Sequence, residues 1–207
     1  MTGTPTFDDR KVVDWDARFR ADDAPWERVG VHPALADWAE AGAFKPGSRM
    51  LVPGCGRGAE PEAFARLGLI VTGVDMAPSA IDWQRDRFAQ EALAGTFVSA
   101  DALAFLPDAP FDAVWEQTFL CAIHPRLRAD WEAMVHASLK PGGSLFALFM
   151  QKDEPGGPPY GCDMDAMRTL LPDTRWVWPD SPLTAYPHPG LGEKAELAAR
   201  LVRRPAP

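Results

Sequence analysis

The chain has 207 residues, 46 % of them hydrophobic and 24 % charged, which is ample material for a sizeable core and excludes a disordered chain. Its 21 Lys+Arg against 29 Asp+Glu leave a net charge of −8, which argues against a phosphate-neutralising nucleic-acid surface. Every apolar run falls well short of the roughly 20 residues of a membrane span, and the first ten residues lack the basic and apolar regions of a signal peptide, so the cytoplasm is the expected location.

In chain order, residues 33–40 read as a short helix, with Pro33 in its first turn and Gly42 as its stop. Residues 49–53 are apolar without alternation, the mark of a strand buried on both faces. A helix follows over 59–67, with Phe64 and Leu67 on one face and Gly68 just past its end. A second buried strand covers 69–74, then a long helix covers 78–93 with Ile81 and Phe88 inward and Trp83 beside them. Strands are expected at 96–100 and 111–116. Residues 125–139 form a helix presenting Leu127, Trp131, Met134 and Val135. Lys140-Pro141-Gly142-Gly143 should close it, glycine supplying a left-handed turn and proline preventing continuation. A strand at 144–150, a helix at 163–171 and β-type runs at 175–178 and 196–203 complete the chain. The alanines of the last run suit a helix almost as well as a strand. Trp38, Trp83, Trp115 and Trp131 all fall on faces that read as core.

Strands alternating with helices imply parallel βαβ units. The expectation is a single domain over 1–207 with a doubly wound, mostly parallel seven-stranded α/β sheet. Such sheets bind ligands beyond the carboxyl ends of their strands, near the switch in strand order. The first strand ends there in Val52-Pro53-Gly54-Cys55-Gly56-Arg57-Gly58. Gly54 and Gly56 would let the backbone turn sharply and approach a cofactor with no Cβ in the way. The second strand ends in Asp75, placed to accept ribose hydroxyls, although the same side chain could simply cap the next helix. The third ends in Asp101, which could accept from an adenine amine or be a turn residue. The spacing is Gly-x-Gly-x-Gly rather than the Gly-x-Gly-x-x-Gly of dinucleotide sites, which disfavours a nicotinamide-dependent dehydrogenase.

With these residues in place, the sequence resembles the class I S-adenosylmethionine-dependent methyltransferases, and within them the thiopurine S-methyltransferase family with its halide/thiol branch. The specific matches are Leu51-Val52-Pro53-Gly54-Cys55-Gly56, Val74-Asp75, Thr118-Phe119-Leu120-Cys121-Ala122-Ile123-His124-Pro125, Leu139-Lys140-Pro141-Gly142-Gly143 and Gly156-Gly157-Pro158-Pro159-Tyr160. Trp15, Phe19, Trp26 and His32-Pro33 match the family's N-terminal lid, which divides the chain into a lid over 1–33 and a Rossmann-like core over 34–207. The resemblance implies S-adenosylmethionine as cofactor, S-adenosylhomocysteine as product and no metal. It assigns Gly54 and Gly56 to the methionyl part, Asp75 to the ribose, Met76, Asp101 and Ala102 to the adenine, and Gln117, Trp15 and Trp26 to the cofactor's surroundings. Phe19, Phe119 and Tyr160 fall on the acceptor side. Two positions depart from the halide/thiol pattern. Glu116-Gln117 stands where Asp-Tyr is usual, and Phe19 where a second lid Trp is usual.

Methyl transfer needs a nucleophile in line with the breaking C–S bond, about 3–3.5 Å away, in a pocket that excludes water. A thiol, with pKa near 8.5, needs little help to ionise, whereas an oxygen nucleophile needs a strong base or a metal. His124 and Tyr160 are the only candidates for base work. The expected acceptor is therefore a small thiol. A halide, thiocyanate or oxygen acceptor remains open, as does a non-catalytic cofactor-binding module. Cys55, Cys121 and Cys162 are odd in number and far apart, which suits no disulfide framework, and the four histidines show no ligand spacing. Cys55 reads as a small residue fitting the turn, with activation by the helix terminus as the alternative. Cys121 reads as buried filler.

Overall fold

The computed structural model describes residues 13–205. The first twelve residues of the expected lid, including the segment read as lacking a signal peptide, lie outside the described residues.

Six helices and eight strands are described: α1 (Trp15–Arg20), α2 (Pro33–Glu40), β1 (Arg49–Pro53), α3 (Glu60–Arg66), β2 (Ile70–Asp75), α4 (Pro78–Gln90), β3 (Thr96–Ser99), β4 (Phe111–Gln117), α5 (Arg128–Ser138), β5 (Leu139–Met150), α6 (Met164–Leu170), β6 (Trp176–Val177), β7 (Thr184–His188) and β8 (Lys194–Arg203). The strand order is β3-β2-β1-β4-β5-β8-β6, with β7 also pairing β8. The pairs among β1 to β5 are parallel, and β8 runs antiparallel to β5, β6 and β7. The order reverses between β1 and β4, which puts the ligand crevice beyond Pro53 and Gln117.

Successive residues of the central strands serve opposite layers. Met50 and Val52 of β1, Trp115 of β4 and Phe146 and Leu148 of β5 pack with Leu35, Phe64, Ile81 and Phe88 of α2, α3 and α4. Leu51, Val114, Leu145, Ala147 and Phe149 pack with Trp131, Met134 and Val135 of α5 and Met167 of α6. This two-sided burial explains the unbroken apolar runs, and each large side chain so buried is worth about 1.5–3 kcal/mol before ordering costs.

Several expectations need correction. The sheet has eight strands, not seven. The extra one, Thr184-Ala185-Tyr186-Pro187-His188, is short, carries proline and leaves Ala185 and Pro187 exposed, so it gives no alternation to read. Residues 196–203 are strand, as favoured above over the helix that their alanines also suit, because β8 is held on one edge by β5 and on the other by β6 and β7. The glycines of Lys140-Pro141-Gly142-Gly143 do not cap α5. They form an irregularity at the start of β5, where the register jumps from Phe111↔Leu139 to Ala113↔Ser144. Gly142 has φ +79°, and a Cβ on Gly143 would lie 3.1 Å from the Asp112 carbonyl. Finally, Leu67, Trp83 and Leu127 are 37–40 % exposed. Trp83 lies off the Ala80–Ile81–Gln84–Phe88 face that α4 buries.

Candidate functional site

The glycine turn after β1 is built by backbone and by side chains that sequence reading passed over. Gly54 and Gly56 have φ +62° and +47°, left-handed values that side chains other than glycine rarely adopt. Asp75, buried at the end of β2, accepts the Gly56 N–H through Oδ2 and the Ala77 N–H through Oδ1, both at 2.9 Å. It thus ties the glycine turn to the residue that opens α4, and with the Met76 N–H also bonded the carboxylate keeps one lone pair for a further donor. Burial pushes its carboxyl above the ordinary aspartate value, with the three backbone N–H groups opposing. From α4, the buried Gln84 donates Nε2 to the carbonyls of Gly56 (3.1 Å) and Gly58 (2.9 Å). Its only sequence signal was a polar residue three positions after Ile81 on an inward face.

Aromatic rings close over this turn. A Cβ on Gly54 would meet the Phe119 ring at 2.5 Å, and one on Gly56 would meet Phe19 at 3.1 Å. Phe19 packs edge-to-face with Trp26, and Trp26 with Trp15, at centroid distances of 5.7 and 5.2 Å. The three sit against Ala77 and Ala80 at the start of α4. Asp16 of α1 accepts the Ser79 N–H at 2.8 Å. Arg57, inside the turn, grips the segment from the other side. Its guanidinium donates to both Glu27 oxygens (2.8 and 3.0 Å), to Asp22 (2.7 Å) and to the Phe19 carbonyl (3.3 Å). These carboxylates push Arg57 further above its already high pKa. Arg57, Glu27 and Asp22 carried no pattern in sequence, since opposite charges 30 residues apart predict no contact.

The remaining candidates divide into two groups. Met76 is 54 % exposed directly after Asp75, an apolar surface facing solvent beside the crevice. Asp101 caps a short turn through Leu103 N–H (2.9 Å) and stays exposed, with Ala102 buried behind it. Gln117 is tied elsewhere. Its Oε1 accepts the Trp115 indole N–H at 2.9 Å, and its side chain also bonds Glu60. On the other side of the crevice, the Tyr160 N–H donates to the Cys121 carbonyl at 2.7 Å. The Tyr160 ring stands 5.5 Å from that of His124. His124 Nδ1 accepts the Arg126 N–H at 3.2 Å, so this nitrogen serves a turn.

Cys55 is buried, and burial together with Asp75 drives its thiol well above the ordinary value, opposite to activation. Cys121 is buried too, as expected, and burial raises Cys162 to about 12. Among the described residues no group of three His, Cys, Asp or Glu could hold a metal ion, and no helix is long and apolar enough to cross a membrane. The two best-formed hollows, about 360 and 310 Å³, lie away from the glycine turn. The first lies at the amino-terminal ends of β4 and β5, around Leu106 and Pro141.

A second group of buried polar residues joins the lid segment to the sheet. Glu196 of β8 accepts from Arg28 at 2.5 Å and pairs with His32 Nε2 at 3.2 Å. The His32 backbone N–H donates to Glu60 at 2.9 Å, and His188 Nε2 bonds the Trp26 carbonyl at 3.1 Å. Two of the four histidines that looked scattered in sequence, His32 and His188, are therefore drawn to the same carboxylate, as braces.

A parallel sheet switching between β1 and β4, a glycine turn braced by an acid at the end of β2 and an antiparallel β8 beside β5 define the class I methyltransferase fold. Solved structures agree. The chain matches magnesium protoporphyrin IX methyltransferase from Synechocystis with bound S-adenosylhomocysteine (TM-score 0.71, 16 % identity, 90 % of this chain and 94 % of that one). It also matches 1,6-didemethyltoxoflavin-N1-methyltransferase of Burkholderia thailandensis (TM-score 0.65, 20 % identity, 91 % and 82 %). Residues 10–178 fit the model of the thiopurine S-methyltransferase family, and the chain belongs to that family. Among relatives, a probable thiol methyltransferase 2 of Arabidopsis thaliana is 35 % identical over 160 residues (76 % of this chain, 70 % of the relative). The thiopurine S-methyltransferase of Azotobacter vinelandii is 29 % identical over 183 residues (78 % and 82 %). The chain is thus an S-adenosylmethionine-dependent methyltransferase. The site fits that cofactor: the Asp75 carboxylate keeps an unused lone pair, the glycines leave no Cβ between turn and crevice, and Met76 offers an apolar face.

Proposed function

We propose that the chain methylates the sulfur of a small thiol, within one catalytic domain whose residues up to 33 act as the lid. The observation that carries this reading is the aromatic wall. Phe19 and Phe119 stand directly on the glycine turn, with Trp15 and Trp26 behind. Such a wall excludes water, and sulfur makes favourable contacts with aromatic rings where a harder oxygen anion would lose hydration uncompensated. The relatives named for thiol substrates support the same class. A soft inorganic anion would suit the wall equally, and one relative, from Arabidopsis thaliana, is named thiocyanate methyltransferase 1 (30 % identity, 76 % of this chain and 70 % of the relative).

When bound, S-adenosylmethionine supplies a methyl group already activated by the sulfonium. The chain's own residues bind, orient and dry the site. Gly54 and Gly56 would border the methionyl part, Asp75 would accept the ribose hydroxyls, and Met76, Asp101 and Ala102 would line the adenine. Trp15 and Trp26 would cover the cofactor, with Gln117 bracing the floor through Trp115 and Glu60. Phe19, Phe119 and Tyr160 would shape the acceptor side. Should a base be needed, His124 and Tyr160, whose ring centroids stand 5.5 Å apart, would be the candidates to supply it. The negative charge of the chain and its expected cytoplasmic location also fit a small molecule rather than nucleic acid as the partner.

The test is the rate against pH for two thiols of well-separated pKa, with and without EDTA. The midpoint should move with the thiol supplied, and EDTA should have no effect. One common midpoint, or inactivation by EDTA, would place a base or metal in the reaction and overturn this account.

A further inference from the structure

Glu116 is fully buried at the end of β4, one residue before the crevice, and nothing in the cofactor assignment uses it. Its Oε1 accepts the Leu120 N–H at 2.7 Å, and its Oε2 accepts the indole N–H of Trp131 from α5 at 3.1 Å. The Phe119 N–H bonds it as well. These bonds fold residues 118–123 into a tight turn in which Thr118 holds φ +58° and the Ala122 and Ile123 N–H groups return to the Phe119 carbonyl. The turn delivers the Phe119 ring onto Gly54. It also offers the Cys121 carbonyl to the Tyr160 N–H, so the second acceptor-side ring hangs from the same anchor.

We infer that Glu116 is the positioning residue of the acceptor side, setting Phe119 directly and Tyr160 through Cys121. The inference rests on the acceptor side proposed above. A carboxylate suits this task because it accepts several N–H groups and donates none, whereas its protonated form must turn one oxygen into a donor among donors. Burial raises Glu116 to about 7, against the pull of these N–H groups and of Arg128. The other titratable groups facing this region are Cys121, Cys162 and, beyond the two thiols, Glu196. The two thiols stay neutral near pH 7, since burial raises both. Acceptor binding should therefore weaken as pH falls through about 7, even for an acceptor that does not titrate.

Thiocyanate is such an acceptor, and its KM at saturating cofactor should fall roughly fivefold between pH 6 and pH 8, the order expected from strengthening one hydrogen bond to a charged acceptor. Glu116→Gln should hold a high KM at every pH while S-adenosylhomocysteine binds within about twofold of the parent. Amide exchange should quicken in 117–124 and 157–162 alone. A flat parent profile, or a Glu116→Gln profile that follows the parent, overturns the inference. If Glu116→Gln does not fold, Arg128→Gln decides: loss of the nearby cation should move the midpoint to higher pH, and an unmoved midpoint refutes. If the parent methylates neither thiocyanate nor thiols, the proposed acceptor fails on its own. The parent's exchange in 117–124 at pH 6 and 8, corrected for intrinsic rates, then judges Glu116. Faster exchange at pH 6 supports the anchor, and equal exchange overturns it.

Discussion

Replacing Asp75 by Asn perturbs the turn and the proposed ribose contact in separable ways. Both carboxylate oxygens already hold a backbone N–H at 2.9 Å, from Gly56 and from Ala77. Asparagine keeps one oxygen, so its amide must face one of those N–H groups as donor against donor. Leaving that buried N–H without an acceptor costs about 1–3 kcal/mol of stability. The ribose hydroxyls lose a charged acceptor, about 1.5–3 kcal/mol of binding, or roughly ten- to a hundredfold in affinity. Calorimetric titration with S-adenosylhomocysteine measures the second quantity and thermal unfolding the first. Analogues lacking the 2′- or the 3′-hydroxyl separate direct contact from distortion of the turn. If Asp75 receives a hydroxyl, deleting that hydroxyl should weaken binding to the parent and matter much less to Asp75→Asn. A folded variant that binds within twofold of the parent, or analogues whose penalties are the same in both proteins, would refute the ribose assignment.

Arg57→Gln removes the grip on Glu27, Asp22 and the Phe19 carbonyl, so amide exchange over 15–28 should rise and S-adenosylhomocysteine should dissociate several-fold faster. Unchanged exchange there would mean that the lid stands without this clamp. Gly54→Ala forces a side chain onto φ +62° and into the Phe119 ring, so unfolding should shift by about 2 kcal/mol or more with turnover lost, and a neutral substitution would contradict the geometry. His136 packs on the Trp176 ring and is lowered to about 4 by burial and by Arg175 and Arg203. Below its ordinary value of 6.5 the unfolded chain binds more protons, so this group's contribution to stability is lost as pH falls from about 6.5 to 4. His136→Gln should flatten the denaturant midpoint over that range, and an unaltered slope would show that other groups dominate.

Local patterns carried much of this protein. Apolar runs in β1 and β2 are legible because a strand covered on both faces must be apolar throughout, and Gly54, Gly56 and Asp75 are legible because a tight turn and a strand-end acid are local requirements. The motif Thr118 to Pro125 and the lid aromatics placed the chain in its family from composition at fixed spacing alone. What the sequence could not reveal depends on pairing between distant segments. β7 forms only because β8 presents a free edge to an otherwise unpatterned, proline-containing run. Gly142 and Gly143 resolve a register jump against β4 rather than a helix end, a choice made by the sheet. The clamp of Arg57 on Glu27, the brace of Gln84 on the glycine turn and the anchoring of residues 118–123 by Glu116 each join residues that only folding brings within hydrogen-bond reach. Burial, which follows from packing and not from residue type, raised the carboxyls of Asp75 and Glu116 and silenced the thiol of Cys55.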